Sequence, residues 1–253
     1  AEELYILGIT GSANMPTTTG AYDVSHGGGA SLSFPVGYSL NFLSGIDITL
    51  LRLSSGATSL LGGTYVGGTG NDGINNAPGL AHNYGDPFRG EVVLDAQERP
   101  VVATSGASTN LPVSSGGQAY GGGAQDGYVF RMDAGLTTIE VSTYIGGSAA
   151  DAAYSVQEAS DGHWYVTGGT MSANMPMATG AYVAQHAGGV DGYVVRLSAE
   201  DASLVGSTYL GTGNYDQCYF VQLNDQDGVH VVGQTRGPYP VTPGKYANPN
   251  GAQ

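Results

Sequence analysis

The chain has 253 residues, enough to bury a large core in one repetitive domain or in two small ones. Only 11% of the residues are charged, 43 are glycine, and 17 tyrosines outnumber five phenylalanines and one tryptophan, a mixture that suits short strands and tight turns and disfavours helices. The formal net charge of −14 repels phosphate backbones and anionic headgroups, and no apolar run reaches membrane-spanning length, so nucleic acid and membrane insertion are both disfavoured.

Taken in chain order, the first element is a strand at Leu4–Gly8, followed by the segment Ser12–Tyr22 (SANMPTTTGAY). A strand opening at Asp47 (DITLLRL) and another ending at Tyr65 (GTYVGG) come next. The last two motifs return as DGYVFRM from Asp126 and STYIGG around Tyr144, then as DGYVVRL from Asp191 and STYLGT around Tyr209. The Ser12–Tyr22 segment returns almost unchanged as Ser172–Tyr182, with weaker copies at Thr109–Pro112 and Gly237–Tyr246. Three motifs in constant order define a unit of 64 or 65 residues. The cleanest unit reads as four strands: Tyr154–Glu158, Trp164–Gly168, Gly192–Leu197 and Leu204–Leu210. An Asp161-Gly162 turn of the kind that wants positive φ joins the first two, and Asp227-Gly228 aligns with it in the last unit.

Four antiparallel strands per unit, with no helical periodicity, is the layout of a β-propeller blade. The expected fold is therefore all-β, a propeller of four-stranded blades that is incomplete at both ends. The units fall at 1–65 (with an insertion at 30–44), 66–144 (with an insertion at 73–87), 145–209 and 210–253, giving about thirteen strands. Because closed propellers use four to eight blades and open strand edges are liabilities, further blades or domains of the same longer chain are expected.

The combination of STYLGT, DGYVVRL and NMPTTTGAY resembles the SBBP β-propeller repeat of secreted bacterial proteins, over essentially the whole chain. That resemblance implies a propeller in a large extracellular or cell-surface protein, of the type carried as cargo by the type IX secretion system of gliding Bacteroidota. It is nearly silent about activity.

Three sets of residues invite a functional reading. Asp72, Asp151 and Asp216 each lie seven residues after a motif tyrosine, while Asp47, Asp126 and Asp191 each open a strand. Recurring acids can ligate calcium through oxygen, the one cofactor the sequence raises, or they can cap turns by accepting backbone N–H bonds; each loop offers a single acid. The tyrosine columns (Tyr65, Tyr144, Tyr209 and Tyr22, Tyr120, Tyr182, Tyr246) fit packing between units better than sugar stacking, and Arg52, Arg131 and Arg196 are expected to pair with neighbouring acids. Lone Cys218 in a strand-like stretch reads as a small buried hydrophobe.

The third set breaks the repeat. The first insertion carries Phe34, Tyr38 and Phe42; the second carries His82 and Tyr84 and is followed by Phe88 and Arg89. In an up-and-down blade these two loop classes emerge on one face, where repeat proteins place binding insertions. No metal-binding or nucleophilic histidine spacing, nucleophile elbow or phosphate loop is present. The expectation is a non-enzymatic binding or adhesion module for a protein partner or a surface glycan. The alternatives are a structural spacer or assembly subunit and, less favoured, a carbohydrate-active propeller enzyme.

Overall fold

The computed structural model describes residues 3–36 and 38–245, with backbone alone over 35–39. Strands dominate: β1 (Leu4–Thr10), β2 (Leu32–Val36), β3 (Tyr38–Phe42), β4 (Asp47–Leu53), β5 (Leu60–Val66), β6 (Glu91–Leu94), β7 (Pro100–Gly106), β8 (Asp126–Met132), β9 (Ile139–Ile145), β10 (Asp151–Glu158), β11 (Trp164–Thr170), β12 (Asp191–Leu197), β13 (Leu204–Leu210), β14 (Asp216–Leu223) and β15 (Val229–Thr235). The one helical element among the described residues is a single 3₁₀ turn at Asp86–Phe88. No helix is long and apolar enough to cross a membrane.

The strands form antiparallel sheets in chain order: β1-β4-β5, β6-β7-β8-β9, β10-β11-β12-β13 and β14-β15. Each of these sheets is drawn from one continuous stretch of the chain, 4–66, 91–145, 151–210 and 216–235. Together these sheets contain the thirteen expected strands. The separate hairpin β2-β3 was not anticipated and lies inside the first insertion. The same irregularity interrupts the ladder at Arg52/Leu53, Arg131/Met132 and Arg196/Leu197, so the units repeat in register as well as in sequence.

The hairpin turns explain why glycine appears only once at an equivalent place. Gly162 adopts φ 81 in the β10-β11 turn, as expected. In the β6-β7 and β14-β15 turns the matching residues are Glu98 (φ 60) and Asp227 (φ 56). The expected alignment of Asp227-Gly228 with Asp161-Gly162 is therefore off by one residue. Asn224 accepts from the Asp227 amide as Ala159 does from Gly162, and the Asn224 side chain, bonded to the Gly228 amide at 2.8 Å, supports the strained position.

The sheets stack face to face. Ile48, Leu50 and Val66 of the first sheet pack on Val102, Tyr128 and Phe130 of the second. Val101, Val129 and Val141 of the second pack on Val156, Trp164 and Val195 of the third. Each fully buried large side chain in these layers contributes about 1.5–3 kcal/mol. The aromatic columns then tie loops to the layers. Tyr65 Oη donates to Ser12 O (2.7 Å) and accepts from the Met15 amide (2.9 Å). Tyr144 does the same with Ser108 O (2.5 Å) and the Leu111 amide (3.0 Å), and Tyr209 with Ser172 O (2.9 Å) and the Met175 amide (3.1 Å). The recurrent SANMP-type loop is thus pinned by the tyrosine of its own unit, a hydrogen-bonding role within the unit that the expected packing between units did not include.

Replacing Tyr144 with phenylalanine strands a buried carbonyl and a buried amide, so Tyr144→Phe is expected to cost about 1–3 kcal/mol in urea denaturation. Tyr182→Phe, at an exposed ring, is expected to change stability by less than about 0.5 kcal/mol.

Candidate functional site

The recurring acids are all buried. Asp72 Oδ1 accepts from the Ser108 amide (3.0 Å), and its Oδ2 from the Gly68 amide (2.9 Å) and Ser108 Oγ (2.6 Å). Asp151 is held by the Gly147 amide (2.7 Å), Ser172 Oγ (2.7 Å) and Thr170 Oγ1. Asp216 accepts from the Thr212 amide (2.6 Å) and Thr212 Oγ1 (2.8 Å). Each carboxylate therefore joins its own strand to the loop before it, and in the two complete units also to the loop ahead. This is the capping arrangement, and the oxygens of Asp72 and Asp151 are spent on it. Among the described residues no group of three or more His, Cys, Asp or Glu side chains is placed to share a metal ion.

The strand-opening acids differ. Asp47, Asp126 and Asp191 each take amide hydrogen bonds at Oδ2, from Gly27 (2.6 Å), Gly121 (2.6 Å) and Ala187 (2.7 Å), while every Oδ1 is buried without a partner. His26 and His186, matched in two units, each stand 4.0 Å from the Asp beside them and edge-on to the unit's motif tyrosine. Burial pushes the Asp126 carboxyl up to about 7, against the Gly121 amide and with Asp151 adding to the rise. Burial likewise lifts Asp72 to about 6 against the bonds from Ser108 and Gly68. The arginine column pairs as expected: Arg52 with Glu3, Arg131 with Glu140, and Arg196 with Asp161. Cys218 is buried and its thiol is pushed up to about 12 by desolvation, far from a nucleophile.

The insertions are of two kinds. The first forms β2-β3, whose Phe34 ring is 5.6 Å from the ring of Phe88. The contact joins the first insertion to the residue that follows the second. Phe42 is half-buried against Gly11, and the Tyr38 side chain lies outside the described residues. Leu43, at the end of the hairpin, is 84% exposed.

The second insertion is largely packed. Ala77 and Leu80 join Ala152, Tyr154 and Tyr219 in a core cluster. Asn75 donates to Tyr154 Oη (2.9 Å) and accepts from Gln125 Nε2 (2.9 Å), and Gln217 Nε2 donates to Leu80 O (2.9 Å). Buried Asp86 accepts from the His82 and Asn83 amides (3.0 and 2.6 Å) and from Arg89 Nε (2.8 Å), and the Arg89 guanidinium lies 4.2 Å over the Tyr219 ring. His82 stacks on Tyr215 at 4.3 Å. What remains outside is Tyr84, 76% exposed, and the edge of Phe88, 39% exposed. Phe88 and Arg89 also line a groove of about 510 Å³ along Tyr5–Ile9 of β1, whose edge away from β4 pairs with no described strand.

The residues that seat this insertion escaped the sequence reading, yet they left a signal. Gln125 stands where the other units have Ile46 and Val190, and Gln217 stands where the clean unit has Ala152. Polar residues at buried apolar columns mark places where something polar must be met. Compared with known protein families and with curated proteins, the chain matches none.

Carboxyls whose pKa rises on folding stabilise the fold fully below their unfolded value near 4 and lose that contribution as pH climbs through the folded value. With Asp72 near 6 and Asp126 near 7, the thermal midpoint in chelator-treated buffer is expected to fall between pH 4 and pH 7.5. Asp126→Asn is expected to flatten the upper part of that profile, and an unchanged slope would remove Asp126 from it.

Proposed function

We propose that the chain is an arc of a β-propeller of the SBBP kind, from an extracellular or cell-surface protein, and that it acts as a non-enzymatic binding module. The sheet order within each unit and the face-to-face stacking support the propeller reading. The observation that carries the binding reading is the Phe34–Phe88 contact, which merges two insertions otherwise far apart in sequence into one aromatic surface. Because the second insertion is hydrogen-bonded into the core, that surface is held rigid, and a rigid aromatic surface loses little entropy on binding a protein or a glycan. The exposed rings of Tyr84 and Phe88 and the exposed Leu43 are the contacts it offers.

A second reading, an assembly or spacer subunit, draws on the unpaired edges of β1 and β15 among the described residues. The two readings part at the insertions. In a glycan array and in titration with candidate surface proteins, replacing residues 30–44 by a short turn is expected to abolish binding while leaving the thermal midpoint within a few degrees. Tyr84→Ala is expected to weaken binding about tenfold, as truncation of an exposed aromatic anchor does. Binding that survives both changes would overturn the assignment to this surface.

A further inference from the structure

Neighbouring units lock together through the turn between the third and fourth strands of a unit, most fully at the first sheet. The turn at 133–138, between β8 and β9, reaches back onto the preceding sheet. There Ala134 O accepts from Tyr5 Oη (3.2 Å) and Arg52 Nη1 (2.7 Å), and Leu136 O accepts from the Tyr22 amide (2.9 Å). Leu136, at φ 58 and fully buried, covers Gly62, where a Cβ would stand 3.1 Å from Leu136 Cδ1. The turn at 198–203, between β12 and β13, approaches the second sheet at the corresponding place with fewer bonds, because Val101 and Val141 stand there where the first sheet has Tyr5 and Gly62. Asp201 O accepts from the Gly116 amide (3.1 Å), and Ala202, at φ 63, is buried in the cluster of Val101 and Val141.

The third sheet carries the same seat. Tyr165, Tyr182, Arg196 and Gly206 stand at the repeat positions of Tyr5, Tyr22, Arg52 and Gly62, and they line a pocket of about 290 Å³. Even the stacking is copied: the guanidinium lies 5.8 Å from the ring centroid for Arg52 over Tyr5 and 5.5 Å for Arg196 over Tyr165. No described residue fills this seat as Leu136 fills the first. Tyr182 is 84% exposed, and a Cβ on Gly206 would meet only Arg196 Cβ, at 3.6 Å. Beside it, β15 pairs with β14 alone, whereas its counterparts β7 and β11 also pair with β8 and β12.

We propose that this seat binds a β-hairpin of the β8-β9 kind, with the hairpin's first strand adding to the open edge of β15 and its turn entering the pocket over Gly206. The inference rests on the reading of the chain as an arc of repeated blades and names the partner of its open end. A folded second copy does not qualify. Its turn at 54–59 has the right shape, with Ala57 at φ 52 in the place of Leu136, but its β4 is already paired with β1 on the edge that β15 needs. The partner is therefore a hairpin whose leading strand is free, opening on Asp and carrying a six-residue turn like that at 133–138, with its left-handed residue at the fourth position.

The test appends a second copy of residues 125–147 to residue 253 of the full chain. Residues 236–253 then form a tether about as long as the 171–190 connection between β11 and β12, which gives the hairpin a high effective concentration. Hydrogen exchange at the Tyr182 amide is expected to slow at least tenfold, and the thermal midpoint to rise by about 3 °C or more. Gly206→Trp, whose Cβ would meet only Arg196 Cβ at ordinary contact distance, is expected to leave the stability of the parent within about 0.5 kcal/mol and to cancel both effects in the extended chain. Exchange at Tyr182 that stays as fast as in the parent, or protection that survives Gly206→Trp, would overturn the proposal. Exchange at Tyr182 is local to this seat, and neither readout involves a ligand, so the outcome is independent of whether the insertions bind one.

Discussion

A carboxylate buried at every junction between sheets is the constraint from which most of this protein follows. An unpaired ion in such a place costs several kcal/mol, so Asp72 and Asp151 each need donors on more than one side. The donors are amides of the loop that enters the strand and hydroxyls and amides of the loop at the far end of the unit. Satisfying the acid therefore sets the path of two loops at once. Gly68 and Gly147 have to approach closely, and a Cβ on either would stand within 2.6 Å of a neighbouring asparagine Oδ1. Much of the glycine and serine in the composition is explained by this crowding rather than by flexibility. The motif tyrosines complete the arrangement by pinning the same loops from the opposite side.

On this scaffold the two insertions do different work. The second is part of the interior: its asparagines and Leu80 meet Gln125, Tyr154 and Gln217 at the inner strands of the next two sheets. The first is a hairpin that rests on the second through one aromatic contact. The joined surface rests on the core beneath, and Leu43, Tyr84 and Phe88 are what it leaves exposed. The buried roles of Asp86 and Asn75 also show why charged and amide residues in an insertion need not face a ligand.

The seats for the 133–138 and 198–203 turns add a second kind of junction, made by shape more than by charge. Gly62 accepts a leucine from the next unit because it has no side chain of its own, and Gly206, at the equivalent position of the third sheet, has only Arg196 Cβ near it. Junctions of this kind transmit the repeat from unit to unit without long-range contacts, as expected of quasi-one-dimensional architectures.

The strands, their order and their turns were legible because alternation and punctuation are local properties: a residue's neighbours in sequence decide whether it can line one face of a strand. The repeat also located the acids and tyrosines in register, and both insertions by their failure to align. Local pattern could not say that Ala30–Ser44 contains a hairpin, since β2 and β3 lack clear alternation and depend on packing against Phe88. Nor could it assign the acids. Whether a buried carboxylate caps a turn or faces an orphaned oxygen depends on which amides other units bring to it. Chain-local chemistry determined that this protein is made of repeated antiparallel strands with acids and aromatics in fixed columns. Only the tertiary structure decided which columns are satisfied, which insertion is core and which end of the arc keeps an open seat, because those outcomes are set by contacts between residues far apart in the chain.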